Sequence, residues 1–308
     1  MQILNNRGFI FLGITILFFS TYEVVSRTLV GQIDPVQVNF IRFFFGGLIL
    51  LPVAVMDLRR KNCIIKGKDF VHLALLGLLM VGLSMNLLQY GINQTKANLA
   101  AVIFSSNPLF VALAALLLLK EHMTWMKGLG LLAGFTGVGI TFLGGGGGGA
   151  AYYQGVVYLV LSALMFGIYT VIGKKITLKI GSVTMNSLTF IFGSLSLIPV
   201  LIFRHSPLFT VNINIWPQIF YLTVFVTGLA YYSYFKGLSM MDTSLGSMVF
   251  FIKPVLASLL AAIILGEKLT WELALGTFMV LASIYLVQSQ TDSQDPEKAG
   301  STLTEYSH

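Results

Sequence analysis

Ten stretches of about twenty apolar residues follow one another along this chain, and their length decides what it can fold into. They run over approximately 8–28, 35–56, 70–91, 97–119, 126–144, 153–173, 183–203, 217–237, 243–265 and 271–288. About twenty apolar residues in helical form cross the hydrocarbon core of a bilayer. Within lipid every backbone N–H and C=O must be satisfied internally, so these stretches are expected to be helices. Hydrophobic residues make up 56% of the 308 residues and charged residues 10%, against about 25% charge in soluble chains. The expectation is an all-α membrane protein of ten transmembrane helices. The first stretch is too long for a signal-peptide core and lacks a small-residue cleavage site, so it reads as a span that stays.

The net charge of +7 sits in the loops, where it acts as a topology signal and not as a nucleic-acid footprint. With the N-terminus inside, thirteen Lys and Arg fall on cytoplasmic segments, among them Arg59, Arg60, Lys61, Lys66, Lys68, Lys174 and Lys175. Four fall outside: Arg27, Lys96, Arg204 and Lys268. Both termini are therefore expected in the cytoplasm, with the chain in the cytoplasmic (inner) membrane. Only Arg42 and Lys253 lie within spans.

The two halves of the chain repeat. At an offset of 147, Gly8, Tyr22, Asn39, Gly46 and Pro52 meet Gly155, Tyr169, Asn186, Gly193 and Pro199. At an offset of 146, Gly82, Gly91, Phe104, Pro108, Glu121, Thr124 and Trp125 meet Gly228, Gly237, Phe250, Pro254, Glu267, Thr270 and Trp271. Five spans per repeat is an odd number, so the second repeat enters the membrane from the opposite side. Inverted repeats open a central site to either face by equivalent motions. The organisation is a first repeat over 1–143, a glycine-rich joint over 144–152, a second repeat over 153–288 and a polar tail, read as disordered, over 289–308.

Each repeat ends alike: SSNPLFVALAALLLLKEHMTW in the first and FIKPVLASLLAAIILGEKLTW in the second. A central proline is followed thirteen residues on by a glutamate and then by a Thr-Trp pair. With the arginine of NFIRFFFGG, Arg42, these segments resemble the EamA family of the drug/metabolite transporter superfamily over residues 8–288. The resemblance implies ten helices around a central cavity lined mainly by the third, fourth, eighth and ninth, and transport of metabolites, with export more common than import.

An ionisable side chain at mid-membrane costs about 2.5–3.5 kcal/mol on insertion scales and usually faces a bundle interior. Three are present: Glu23, Arg42 and Lys253. Lys253 precedes Pro254, and its repeat mate Asn107 precedes Pro108. Each proline withdraws an N–H from the carbonyl four residues earlier, so both helices are expected to kink and both polar residues to face the cavity. On this reading Lys253 anchors a carboxylate or phosphate; the bland alternative is a lysine pairing with backbone. Glu23 and Arg42 lie at similar depths, at about 1.5 Å per residue, and are expected to form either a structural ion pair or a site where Glu23 takes up a proton. If they cancel, Lys253 leaves one positive charge, which favours an anionic or zwitterionic solute such as an amino acid. Further cavity candidates are Asn86, Gln89 and Tyr90 in the third span and Tyr231 and Tyr234 in the eighth. Tyr232 fits the interfacial belt equally well.

Glu121 and Glu267 read as structural, stabilising the first turn of the helix that follows each. Gly130 and Gly134 read as a ridge for close helix packing. Cys63 is alone, the four histidines are scattered, and no nucleotide, metal or nucleophile motif appears; no cofactor and no metal are expected. The function expected is a secondary transporter, proton coupling and the choice of monomer or homodimer being left open. The alternatives are an exporter of hydrophobic cations and, from other classes, a membrane-embedded enzyme or a sensor.

Overall fold

A computed structural model describes residues 2–119, 123–144, 149–240 and 248–292. Glu121, His122, most of the glycine run and the tail from 293 lie outside the described residues. Ten helical rods are described: α1 (Gln2–Thr28), α2 (Pro35–Arg60), α3 (Gly67–Gln94), α4 (Ala97–Leu118), α5 (Trp125–Gly144), α6 (Gly149–Ile180), α7 (Ser182–Phe203), α8 (Ile213–Leu238), α9 (Met248–Leu265) and α10 (Trp271–Asp292). There is no strand among the described residues. Eight rods are long and apolar enough to span a bilayer; the apolar parts of the other two, Val249–Leu265 and Trp271–Val287, are shorter. The fold is that of an all-α integral membrane protein. Helix α6 begins at Gly149, so residues 149–152 are helical and not part of a slack joint.

Most close packing runs between the repeats. Helix α1 lies against α8 and α9, α2 against α7, α3 against α6 and α7, and α4 against α6 and α9. Small residues permit the approach. A Cβ on Gly77 of α3 would stand 2.6 Å from the Gly193 nitrogen of α7, and one on Gly193 would stand 2.4 Å from the Gly77 carbonyl. Helices α5 and α10 form a separate pair, in which Gly130, Gly134 and Gly137 meet Val287, Ser283 and Gly276.

Two helices widen locally at matching places. Helix α3 carries a π turn over Leu78–Met85, and α8 carries one over Tyr221–Leu229. A π turn leaves carbonyls poorly matched to an α ladder, and side chains take them up. Asn86 Nδ2 donates to the carbonyls of Val81 and Gly82, both at 3.0 Å, and Thr227 Oγ1 donates to Leu222 at 2.8 Å.

The proline helices differ. Helix α4 ends one segment at Ser105 and restarts at Asn107, with Ser106 at φ −74° and ψ 3° between them. Helix α9 runs through Pro254 without interruption. Of these two helices, only α4 is interrupted next to its proline.

Candidate functional site

The three intramembrane charges are all buried, but they are partnered differently from the sequence expectation. Lys253 Nζ donates to Glu23 Oε1 at 2.7 Å. Glu23 is fully buried and Lys253 is 6% exposed. The expected Glu23–Arg42 pair does not form. Depth along the membrane normal, the basis of that expectation, is shared by many groups, whereas contact needs adjacent helices facing each other. Helix α1 packs on α9, which brings Lys253 to Glu23. The pair thus ties the first repeat to the second. Lys253 Nζ also stands 5.2 Å from the centre of the Phe104 ring on α4, within cation–π range.

Glu23 Oε2, the other carboxylate oxygen, is buried and meets no donor. Ser20 Oγ, one turn earlier on α1, is likewise buried without a partner, as are Ser105 Oγ and Asn107 Oδ1 on either side of the α4 break. A buried polar atom without a bond costs about 1–3 kcal/mol, and most such atoms in folded proteins find one. These orphaned atoms belong to the helices that carry Glu23 and Phe104, the two groups that Lys253 contacts.

Arg42 occupies a second centre. Its guanidinium carbon lies 4.3 Å from the centres of both the Tyr22 and Phe43 rings. Nε donates to Asn39 Oδ1 at 3.0 Å, and a terminal nitrogen reaches Met85 Sδ at 3.5 Å. No carboxylate stands within ion-pair distance of it among the described residues. Asn39, one turn back on α2, holds the arrangement: its Nδ2 donates to the Met85 carbonyl and to Asn86 Oδ1, both at 2.9 Å. Tyr22 is fixed in turn, its hydroxyl donating to Gln89 Oε1 at 3.0 Å.

Asn86 and Gln89 therefore orient groups around Arg42. Asn86, the Asn39 contact, is a cavity candidate from the sequence; Asn39 and Phe104 stand out there only as members of the repeat. The signal that marks Asn39 is its spacing of three from Arg42, which puts both on one helix face. Of the tyrosines, Tyr231 packs edge-on to Phe190 and Phe19, at centroid distances of 5.0 and 4.9 Å. Tyr234 contacts Phe19 and Phe235, Tyr232 contacts Phe11, and Tyr90 faces Tyr158 at 6.0 Å. In the second repeat Thr189 stands at the position that Arg42 takes in the first. There Tyr169 donates to Asn186 Oδ1 at 3.0 Å, and Thr189 bonds its own helix.

The chain closes on itself at the rim that carries Lys96, Arg204 and Lys268. Glu267, in the turn between α9 and α10, accepts from the backbone N–H groups of Ala97 and Asn98 at 2.8 and 2.9 Å. It thus caps α4, a helix of the other repeat, and not α10, whose first turn takes Thr270 as its cap. Arg204 pairs with Asp34 at 2.9 Å, and this hydrogen-bonded carboxylate holds the guanidinium pKa above its ordinary value.

The comparisons with known proteins agree with this architecture. The EamA-like transporter family matches residues 6–143 and again 153–289. The chain belongs to that family. This EamA-like protein is a transporter and not an enzyme, so it handles a small solute within a lipid bilayer. It is 33% identical to an uncharacterized transporter of Clostridium kluyveri, over 96% of this chain and 98% of that one. It is 26% identical to a protein of Rickettsia bellii named as an S-adenosylmethionine uptake transporter, over 88% of this chain and 90% of that one. A crystal structure with 18% identity covers 93% of the EamA-like chain at a TM-score of 0.61 and shares its fold.

Proposed function

We propose that this EamA-like transporter moves a small anionic or zwitterionic metabolite by alternating access, with Arg42 as the anchor for its carboxylate. The observation that carries the proposal is the partnering of the buried charges. Glu23 and Lys253 compensate each other, and Arg42 retains its charge among rings and amides. In this reading the anchor is Arg42 and not Lys253, because no carboxylate stands within ion-pair distance of Arg42 among the described residues. A carboxylate reaching Arg42 gains a charge-assisted bond in a site of low dielectric, whereas a hydrophobic cation meets repulsion. The solute named for the Rickettsia relatives, S-adenosylmethionine, carries an amino-acid carboxylate for Arg42 to anchor, while its sulfonium and ammonium groups give it a net positive charge, so it shares the carboxylate and not the net sign of the proposed class.

In this reading Glu23 and Lys253 are the moving part. Because their bond joins the two repeats, rocking one repeat against the other must stretch or break it. Glu23 Oε2, lacking a donor, accepts a proton as the pair separates, which couples transport to a proton gradient. Asn107 and Tyr231 lie on the path that the solute then crosses. The protein sits in the cytoplasmic membrane with both termini inside. The imposed gradient selects direction: efflux, as the family resemblance implies, or uptake, as in the Rickettsia relatives.

Uptake into proteoliposomes, with a panel of labelled amino acids, organic anions, S-adenosylmethionine and cationic dyes, tests this. The expected result is carboxylate transport that Arg42→Gln abolishes or weakens at least tenfold in apparent affinity. Unchanged affinity for every transported carboxylate in that variant overturns the anchor.

A further inference from the structure

We propose that a lateral groove between α3 and α6 holds an anionic phospholipid. The groove has a volume of about 360 Å³ and is lined by Lys68, Val71, His72, Leu75, Leu76, Leu79 and Ile172. Six of these come from α3, at spacings of three and four residues, so they form one stripe along a helix face. From Lys68 to Leu79 that stripe is roughly 16 Å long at about 1.5 Å per residue.

The stripe is graded in polarity. Lys68 is exposed at one end. His72 lies one turn further in, and its Nε2 is buried with no hydrogen-bond partner. Beyond it only aliphatic side chains continue. A phospholipid has the same grading, with a charged phosphate, then ester oxygens, then a chain. The headgroup phosphate meets the Lys68 ammonium, His72 Nε2–H donates to a phosphate or ester oxygen, and an acyl chain lies along Val71, Leu75, Leu79 and Ile172.

The charge around the mouth selects the lipid class. Lys66, Lys174 and Lys175 are exposed near the ends of the same two helices. Asp69, next to Lys68 in sequence, is paired with Lys179 at 2.5 Å. A juxtamembrane Lys or Arg attracts anionic lipid by about 1 kcal/mol, roughly a fivefold preference. A zwitterionic headgroup brings no net charge and gains little there. The occupant is therefore a phosphatidylglycerol-type lipid and not a soluble phosphate, since most of the lining is apolar. The proposal is independent of which solute the protein carries.

The test is lipid retention by native mass spectrometry, after reconstitution in equal phosphatidylglycerol and phosphatidylcholine and re-extraction in mild detergent. Wild type is expected to retain the anionic lipid about fivefold over the zwitterionic one. Lys68→Gln, a surface change, brings the ratio toward one. His72→Leu lowers retention of both lipids, and Lys236→Gln, in another helix, leaves the ratio unchanged. Equal retention of both lipids by wild type overturns the proposal, and so does an unaltered ratio in Lys68→Gln. Displacement of lipid by glycerophosphoglycerol at the same concentration overturns it as well, because that molecule carries the headgroup without the chains.

Discussion

Of the buried cations, Lys253 and Arg42 meet different surroundings in this transporter. Lys253 meets a carboxylate from the opposite repeat at 2.7 Å and a ring face at 5.2 Å. Arg42 meets two ring faces, an amide oxygen and a thioether, with no carboxylate among the described residues. The chemistry of the side chains suits the division. An ammonium is a compact, strongly hydrated charge that needs a full counter-charge when desolvated, while a guanidinium is planar, more weakly hydrated and stacks on rings. The lesson is that a buried charge is informative through what it lacks: the compensated cation joins the two repeats, and the one without a carboxylate is the anchor proposed above.

The sharpest way to break this contrast is to delete one partner from the pair. Lys253→Met leaves Glu23 buried and alone, and is expected to cost about 3–5 kcal/mol of stability. Equilibrium unfolding in detergent measures this, and the double variant Glu23→Gln/Lys253→Met should recover most of the loss. A single variant as stable as wild type would dissolve the distinction.

Arg42→Gln should act in the opposite proportion. It removes a charge-assisted bond worth about 1.5–3 kcal/mol to the solute, which is ten- to a hundredfold in affinity, while stability changes less than in Lys253→Met because no carboxylate is orphaned. Solute-binding titration beside the unfolding measurement separates the two.

Asn39→Leu sharpens the role assigned to the amide that orients Arg42. Losing those bonds is expected to cost about 1 kcal/mol and to weaken solute binding several-fold, with Asn39→Gln restoring part of it. Phe104→Leu should have the smallest effect, about 0.5–1 kcal/mol for the lost ring face under Lys253, read as a shift in thermal unfolding with solute affinity at Arg42 unchanged.

The architecture was largely legible beforehand because its causes are local. Apolar length marks the spans, and the matching of Asn39 with Asn186 or Pro108 with Pro254 marks the repeat. The site was legible only in outline. Glu23, Arg42 and Lys253 stand out because charge in lipid is costly, and Asn107 because it shares the pre-proline position of Lys253. The break at Pro108 without one at Pro254 was hidden, because two prolines in like surroundings differ only through the packing around them. From its place in the sequence Glu267 belongs to its own following turn, yet in the fold it caps α4, a helix of the other repeat.

The order of residues alone therefore determined which segments form long apolar helices and that two repeats follow one another. Rise per residue and transfer energy act along a single helix and need no knowledge of its neighbours. Only the tertiary structure decided that Glu23 meets Lys253 and leaves Arg42 among aromatic rings. Partnering depends on which helices touch and how each is rotated about its axis, and that rotation is set by side-chain packing between distant segments.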